Sequence, residues 1–183
     1  MSETPTLPGF WSLGWDCVEQ ACALTGMQVH HPVLATQSAA GPQVRTLVLR
    51  VVDRENCALE MQTDLGSTKV AELQADPRAQ VLIWDKAALL QARLSCDVAI
   101  LTGAETEDRW ALIPERNRRG YGARPTPATP IGAPFDYEKP SDFNGFAVLR
   151  ASVTQVEFMQ LQEPHRRAIF HREDGWAGQW VVP

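Results

Sequence analysis

Short apolar runs joined by tight polar turns are the feature that most restricts the fold of this chain. Two of them, Val33–Thr36 and Val44–Val52, flank the turn-forming sequence Ala39–Pro42, and a third, Cys57–Thr63, follows the polar stretch Asp53–Asn56. Strands that are joined by tight turns pair in antiparallel fashion. The pattern therefore predicts an antiparallel sheet rather than repeated β-α-β units.

The rest of the chain continues this pattern and adds few helices. Further strands are predicted at Ala79–Trp84, Gln91–Leu101, Gly145–Arg150, Ser152–Phe158 and about Ala168–Val182. Apolar residues at helical spacing predict one helix at Trp11–Thr25, which Gly26 ends, and another at Glu105–Leu112. A sheet of many short strands removes its unpaired edges when it closes into a barrel. We expect a mainly β fold of the α+β type with a few flanking helices.

Prolines interrupt the chain between about residues 114 and 142, which we call the proline-rich loop. They are Pro114, Pro125, Pro127, Pro130, Pro134 and Pro140. Because proline lacks a backbone N–H and fixes its φ angle, this stretch can form neither a long helix nor a central strand. We predict a long loop within one domain that spans residues 1–183.

Composition disfavours several classes of function. The 183 residues carry 17 Lys and Arg against 22 Asp and Glu, and a net charge of -5 argues against a general electrostatic grip on nucleic acid. No membrane span or signal peptide is recognisable, so a cytoplasmic protein is expected. The four cysteines show no metal-binding spacing, no metal site is expected, and His30 and His31 are interpreted as the start of a strand.

The segment Thr63–Lys69 carries the most informative chemistry. Gly66 can adopt a positive φ, Ser67 is a good N-cap and an apolar stripe follows, so a short helix is predicted to begin here. Lys69 would lie in its first turn, where the helix dipole is already positive and an anion would relieve the conflict. A phosphate held by backbone N–H groups, by the Ser67 and Thr68 hydroxyls and by Lys69 fits this pattern. A capped helix with a solvated lysine is the plainer alternative.

A second cation, Arg45, lies on a neighbouring predicted strand. Strand alternation places it on the same face as Leu47 and Leu49. A guanidinium on an apolar face is costly unless it is paired, and its donor fork suits a phosphate or a carboxylate. Arg45 could thus hold a phosphate, reach solvent from the end of its strand, or bridge to an acid such as Asp64.

These segments, in this order, point to a known family. The chain resembles the FMN-binding split-barrel proteins related to pyridoxamine 5'-phosphate oxidase at Arg45–Arg50, Gln62–Lys69, Asp76–Arg78 and Gln91–Leu94. Its C-terminal part is similar to the same family at Asn144–Phe146, Val156–Phe158, His165–Arg167 and Trp176. The resemblance implies a six-stranded antiparallel split β-barrel, usually a homodimer, with FMN in the groove between subunits.

The resemblance also implies a set of cofactor contacts. The FMN phosphate would be held by Arg45, Ser67 or Thr68, and Lys69. The rest of the flavin would meet Thr46, Leu47, Val48, Leu49 and Arg50 on the strand, the side chains of Thr63 and Gln91, and Arg167 from across the dimer interface. The implied phosphate site coincides with the anion site inferred from the residues alone.

On the substrate side, the resemblance implies roles for Arg50 and His165. The chain departs from the family pattern at Thr68, where an arginine is usual, and at Gln62, where an aromatic residue is common. The sequence Glu163–His165 also lacks the arginine that grips pyridoxal phosphate in the family. A vitamin B6 oxidase is therefore not expected, and the substrate is an unidentified small molecule.

Arginines crowd one end of the proline-rich loop. They are Arg116, Arg118, Arg119 and Arg124, and they surround Gly120 and Tyr121. Such a stretch can be a solvated loop, an RNA-binding segment, or a clamp in which Arg119 and Arg124 hold an anionic substrate above the flavin. The acidic net charge makes nucleic acid the least favoured partner.

Motifs for hydrolysis or phosphoryl transfer are not recognisable in the sequence. A flavin carries the redox step itself, so no residue is assigned as catalytic. The leading hypothesis is an FMN-dependent oxidoreductase that passes a hydride from a small organic substrate to the flavin, and then to oxygen or another acceptor. The alternatives are a non-catalytic FMN carrier or sensor, and a structural dimer that has lost FMN.

Overall fold

The computed structural model describes residues 5–23 and 31–183. Its strands are β1 (Val33–Ser38), β2 (Gly41–Thr46), β3 (Leu49–Asp53), β4 (Ala58–Asp64), β5 (Arg78–Asp85), β6 (Leu90–Thr102), β7 (Phe146–Gln160), β8 (Arg166–His171) and β9 (Gln179–Val181). Its α-helices are α1 (Leu7–Ala23), α2 (Thr68–Ala75), α3 (Glu107–Ala111) and α4 (Glu115–Arg118), with 3-10 turns at Gly103–Thr106 and Phe143–Gly145. The mainly antiparallel fold with a few helices is confirmed.

The long antiparallel pair β6–β7 is the centre of the sheet. Leu90 pairs with Gln160 at one end and Thr102 with Ala147 at the other, with one bulge on the way. The strand order is β2-β1-β5-β6-β7-β4-β3, and β8 and β9 continue from β7. Because β7 has 15 residues, it pairs with β4 along its first part and with β8 along its second.

The stretch predicted as one strand, Val44–Val52, is two strands with different partners. β2 ends at Thr46 and pairs with β1, whereas β3 begins at Leu49 and pairs with β4. One straight strand could not reach both partners, because β1 and β4 lie on opposite sides of the β6–β7 pair. Within the described residues β2 and β3 are the two ends of the strand path and are not paired. In this part of the chain the sheet is therefore split and is not closed by hydrogen bonds. The described residues form nine strands, where the resemblance implied six.

Other predicted boundaries shift for local reasons. The two strands expected between Gly145 and Phe158 are the single strand β7, and the strand expected at 168–182 is divided by a turn in which Gly175 and Gly178 have positive φ. The proline-rich loop contains the short helix α4. The expected end of α1 at Thr25 and Gly26, and His30, lie outside the described residues.

The main core lies between α1 and the inner face of the sheet. Phe10, Trp15 and Val18 of α1 are buried there with Phe158 and Phe170 of β7 and β8. A second cluster joins the end of α3 to β7 and consists of Ile113, Tyr121, Phe146 and Val148. None of the described helices has the length and hydropathy needed to cross a membrane.

Replacing Gly14 of α1 by alanine should destabilise the fold. A Cβ atom at this position would lie 2.3 Å from the ring of Phe158, which is fully buried, so the helix must move away from the sheet. We expect a loss of about 1–3 kcal/mol in the free energy of unfolding, measured by urea denaturation. Gly9→Ala in the same helix is the control, because its methyl meets only the hydroxyl of the exposed Thr6, at 3.0 Å. Equal effects of both variants would contradict this packing.

Candidate functional site

An open groove of about 410 Å³ lies where β2 ends and β3 begins. It brings together seven of the residues expected to bind the cofactor or substrate: Thr46, Leu47, Val48, Arg50, Thr63, Ser67 and Lys69. The remaining lining residues are His31, Gln62, Asp64, Gly120, Tyr121 and Pro127. The split in the sheet therefore creates the groove, and the proline-rich loop forms one of its walls.

Lys69 is the cation at the α2 end of this groove. Its Nζ donates to Thr63 Oγ1 at 3.0 Å, and Thr63 Oγ1 lies 3.2 Å from Ser67 Oγ. Among residues 5–23 and 31–183, no carboxylate forms an ion pair with Lys69 within 4.0 Å. Burial lowers the pKa of Lys69, as does the nearby Arg45 guanidinium, while the Asp64 and Glu72 carboxylates act in the opposite direction.

The start of α2 leaves hydrogen-bonding capacity beside that lysine. Ser67 is the N-cap residue with an extended backbone, but its hydroxyl makes no capping hydrogen bond and lies next to Thr63 instead. The first N–H groups of a helix point outward along its axis, and the helix dipole favours an anion there. Two hydroxyls, an ammonium group and a helix start thus converge, which is a donor set suited to a phosphate.

Arg45 does not line the groove, because Glu72 of α2 holds it. Arg45 Nη2 lies 2.8 Å from Glu72 Oε2, and the two side chains are 20% and 11% exposed. Arg45 Nη1 also donates to Thr36 Oγ1, whose hydroxyl donates to Glu72 Oε2 at 2.5 Å. Of the alternatives open from the sequence, the structure shows the bridge to an acid, and the acid is Glu72 rather than Asp64.

Tyr121 fixes the proline-rich loop against the groove. Its ring is 8% exposed and packs against Trp110 and Phe146, and its hydroxyl donates to Gln62 Oε1 at 3.4 Å. Burial raises the pKa of Tyr121, and the neighbouring Arg50 guanidinium opposes this. This part of the loop is therefore packed as a wall and is not simply solvated.

Three other predicted cofactor residues lie away from the groove. Leu49 is buried in the main core, and Thr68 is the exposed first residue of α2. Gln91 pairs with Trp84 and Met159 in the sheet. By strand alternation its side chain is on the outer face of the sheet, opposite the core.

Arg167 also lies on this outer face and shares one carboxylate with Arg93. Glu157, which is 3% exposed, accepts from Arg93 Nη2 at 2.5 Å and from Arg167 Nη2 at 3.0 Å. Arg167 Nε is buried and has no hydrogen-bond partner in the described part of the chain. The cluster carries one more positive than negative charge.

The predicted substrate residues are dispersed. Arg50 lines the groove, whereas His165 lies beyond β7 with its Nε2 3.3 Å from Glu163 Oε1. Arg119 is exposed at the end of α4. Arg124 Nη2 lies 3.0 Å from Asp142 Oδ2, which fastens the loop to itself.

Asp64, Tyr121 and Gln62 are groove residues to which the sequence interpretation gave no binding role. Asp64 Oδ1 accepts from the Gly66 N–H at 2.8 Å, an arrangement that an Asp two residues before a Gly commonly forms. That local signal could have identified Asp64. Tyr121 and Gln62 carry no such signal, because only tertiary packing brings them together. The described residues contain no group of three or more His, Cys, Asp or Glu arranged to hold a metal ion.

Comparison with protein families identifies the class of this site. Residues 15–102 match the family described as "Pyridoxamine 5'-phosphate oxidase, FMN-binding domain". The match runs from α1 to the end of β6 and includes the split in the sheet, Thr63 and Lys69. The resemblance inferred from the sequence is confirmed for this region of the chain. No curated protein sequence matches the chain significantly.

Solved structures share the fold over nearly the whole chain. A pyridoxamine 5'-phosphate oxidase-related, FMN-binding protein from Nostoc punctiforme is 23% identical, with a TM-score of 0.76 and complete coverage of both chains. PhzG from Burkholderia lata, solved with tetrahydrophenazine-1-carboxylic acid, is 16% identical with a TM-score of 0.72 over 99% of this chain and 95% of its own. A heme binding protein from Mycobacterium smegmatis is 14% identical with a TM-score of 0.58 over 93% of this chain and 60% of its own.

Removing the Lys69 charge should not destabilise the protein. The lowered pKa means that the folded state disfavours the ammonium form, so Lys69→Met should match or exceed the wild-type free energy of unfolding at neutral pH in phosphate-free buffer. The advantage should fade as the pH rises from the lowered pKa towards 10.5, since the wild-type lysine then loses its charge in the folded state. Urea unfolding across this pH range measures the difference. Lys86→Met, in an exposed turn, is the control, and a less stable Lys69→Met at neutral pH would contradict the assignment.

Proposed function

We propose that this protein binds FMN in the groove at the split of the sheet and acts as an oxidoreductase on a small organic substrate. The observation that carries the proposal is Lys69, a partly buried cation whose hydrogen-bond partner is the Thr63 hydroxyl and which has no carboxylate in ion-pair range among the described residues. Ser67 and the start of α2 lie beside it. A buried charge of this kind needs an anion, and the family match indicates which one.

The residues present fit the phosphate of FMN. Lys69, the hydroxyls of Thr63 and Ser67, and the first N–H groups of α2 would hold it, whereas the exposed Thr68 lies away from the groove. Because Glu72 already neutralises Arg45, Lys69 supplies most of the free positive charge, and Arg45 contributes through its field rather than as a first contact. The chain from Thr46 to Val48 would follow the flavin ring along the groove.

When it is bound, FMN supplies two-electron redox chemistry, and the protein supplies position and surroundings. Arg50 and the Tyr121 hydroxyl are the polar groups of the groove on the loop side, so they would orient a polar or anionic substrate. The packed wall formed by Tyr121 and Pro127 would exclude water from that side. These roles need no acid or nucleophile of the protein.

We also propose that the protein is a homodimer with FMN at its interface. A row of cross-strand partners leads from the groove across the sheet. Thr46 pairs with Val33, Val33 with Leu82, Leu82 with Arg93, and Arg93 with Glu157. The groove is therefore continuous with the outer face of the sheet. Gln91 and Arg167 lie on that face and are out of reach of their own groove. A second copy packed there would bring Gln91 and Arg167 to the groove of its partner, which supports the arrangement that the resemblance implies.

The proposal places the protein in the cytoplasm. All four cysteines, Cys17, Cys22, Cys57 and Cys96, are free, and three of them are buried. Burial raises the pKa of Cys17 and of Cys96 to about 12, so their thiols stay protonated. Four unpaired thiols are typical of proteins in a reducing compartment.

FMN affinity should depend on Lys69 more strongly than riboflavin affinity, because riboflavin lacks the phosphate. Loss of one charge-assisted contact should weaken FMN binding about tenfold or more in Lys69→Met. Quenching of flavin fluorescence gives both affinities, with Lys86→Met as the control and heme as a competing ligand. Wild-type protein that retains no flavin absorption band after excess FMN is removed would contradict the FMN site.

If FMN stays bound, reduction of its absorption band by organic donors, followed by reoxidation in air, separates an oxidoreductase from a carrier. A carrier or sensor would keep FMN through the same screen without turnover. Binding of heme in preference to FMN would direct the site to a different cofactor.

Dimer formation should fail when a positive charge is placed on the outer face of the sheet. Leu82 is half-buried there between Val33 and Arg93, so Leu82→Arg adds a second cation beside Arg93 and removes apolar contact area. Sedimentation velocity should show a dimer for the wild type and a monomer for Leu82→Arg. Leu112→Arg, at an 83% exposed position outside this face, should remain dimeric. A monomeric wild type would overturn the proposed interface.

A further inference from the structure

Asp64 is a buried carboxylate that is satisfied entirely by backbone donors. It is 8% exposed, and within the described ranges no cation forms an ion pair with it at 4.0 Å or less. Its Oδ1 accepts from the Gly66 N–H at 2.8 Å. Its Oδ2 accepts from the Gly122 N–H at 2.7 Å and the Ala123 N–H at 3.1 Å. A buried charge is tolerated only when its hydrogen bonds are made, so each of these contacts matters.

The two oxygens hold two different parts of the site. Oδ1 fixes the turn that leads into Ser67 and Lys69, and Oδ2 fixes the proline-rich loop 58 residues further along the chain. The surfaces also touch, since a Cβ atom on Gly66 would lie 3.0 Å from the Thr126 methyl group. The loop can therefore leave the turn only by breaking its bonds to Asp64.

Two glycines make this contact feasible. Gly122 has a φ of +79°, and a Cβ atom there would lie 2.5 Å from Asp142 Cβ. A Cβ atom on Gly145 would lie 2.4 Å from Gly122 Cα, while the Gly145 carbonyl accepts from the Leu65 N–H at 2.8 Å. The loop backbone thus reaches Asp64 because no side chain intervenes at either position.

We propose that Asp64 is a positioning residue that ties the proline-rich loop to the phosphate-binding turn, so that cofactor binding and loop closure strengthen each other. The proposal rests on the proposed FMN site for the identity of its ligand. Asp64 touches neither the phosphate nor the substrate in this scheme. It fixes the turn that leads into Ser67 and Lys69 for the phosphate, and the loop wall at Tyr121 for the substrate. Coupling of this kind is reciprocal, so FMN must protect the loop by the same factor by which the closed loop favours FMN.

Trypsin reports directly on the loop. It can cleave after Arg116, Arg118 and Arg119, whereas Arg124 and Lys139 are each followed by proline and resist cleavage. Gly122 is the third residue after Arg119, so we expect trypsin to bind this cleavage site in an extended form only after the Gly122 and Ala123 N–H groups have left Asp64. The rate of this cut, followed by mass spectrometry, measures how often the loop opens.

The central test compares the wild type with Asp64→Asn, with and without saturating FMN. Asparagine keeps the shape but loses the charge and at least one acceptor, so cleavage after Arg119 without FMN should be about tenfold faster than in the wild type. FMN should slow the wild-type cut at least about fivefold and leave the variant's rate nearly unchanged. FMN affinity, measured by fluorescence quenching, should be lower in the variant by the factor by which FMN slows the wild-type cut.

Asp142→Asn is the matched control. Asp142 fastens the loop through Arg124 and the Asn144 N–H but does not reach the turn. This variant should be cut faster than the wild type, but FMN should still slow its cleavage by the wild-type factor. If Asp64 only stabilised the loop, the Asp64→Asn and Asp142→Asn variants would respond to FMN in the same way. Gly122→Ala is the second variant if Asp64→Asn fails to fold, because it displaces the loop donors and leaves the carboxylate intact.

The outcomes separate the two proposals. Equal cleavage of wild type and Asp64→Asn without FMN overturns the role of Asp64, and so does unchanged FMN protection in Asp64→Asn. A wild type that binds no FMN overturns the proposed function instead. The cleavage rates of the free proteins then decide by themselves whether Asp64 holds the loop.

Discussion

The pairing of β6 with β7 is the interaction on which the rest of the structure depends. These two strands run side by side from Leu90 with Gln160 to Thr102 with Ala147, and each is longer than any of its other partners. Their length leaves β5 and its neighbours on one side and β4 with β3 on the other. The β6–β7 pair thereby divides the sheet into two parts, with β5, β1 and β2 on one side and β4 and β3 on the other. The candidate site lies where the chain crosses from the first part to the second, between β2 and β3.

That crossing explains how an apolar segment comes to line the groove. Leu47 and Val48 lie between two strands that have separate partners, so neither belongs to a strand. The Leu47 N–H still donates to the Pro32 carbonyl at 3.0 Å, whereas Val48 is 37% exposed. The start of α2 faces the same opening and brings Lys69 and Ser67 to it, beside Thr63 near the end of β4. The cation that the sequence associates with a phosphate, Arg45, is turned towards the core side and neutralised by Glu72. At the α2 end of the groove, the positive charge therefore rests on Lys69, while Arg50 lies elsewhere in its lining.

The proline-rich loop illustrates how an irregular segment can be part of a rigid site. Tyr121 is anchored in the second apolar cluster, and the following backbone is held by the Asp64 carboxylate. The buried Asp64 carboxylate thus holds both the turn at Gly66 and the proline-rich loop at Gly122. Under the proposed function, this arrangement couples the loop to cofactor binding without any change in the sheet.

Local patterns in the sequence determine the antiparallel class, the start of α2 and the position of Ser67 and Lys69 at that start, because these depend on residues only a few positions apart. The sequence interpretation grouped these two residues with Thr68, whereas the structure places Thr63 beside them. Local patterns also support the family resemblance, which extends through the central strands. Only the tertiary structure decides that Arg45 pairs with Glu72, that the predicted strand at Val44–Val52 divides, and that Asp64 reaches the loop. Each of these depends on which distant segments the β6–β7 pair brings together, and the donors and acceptors concerned lie 27 and 58 residues apart in the two side-chain contacts. Alternation and spacing describe one segment at a time, whereas a buried charge is satisfied by whichever partner the folded chain places within reach.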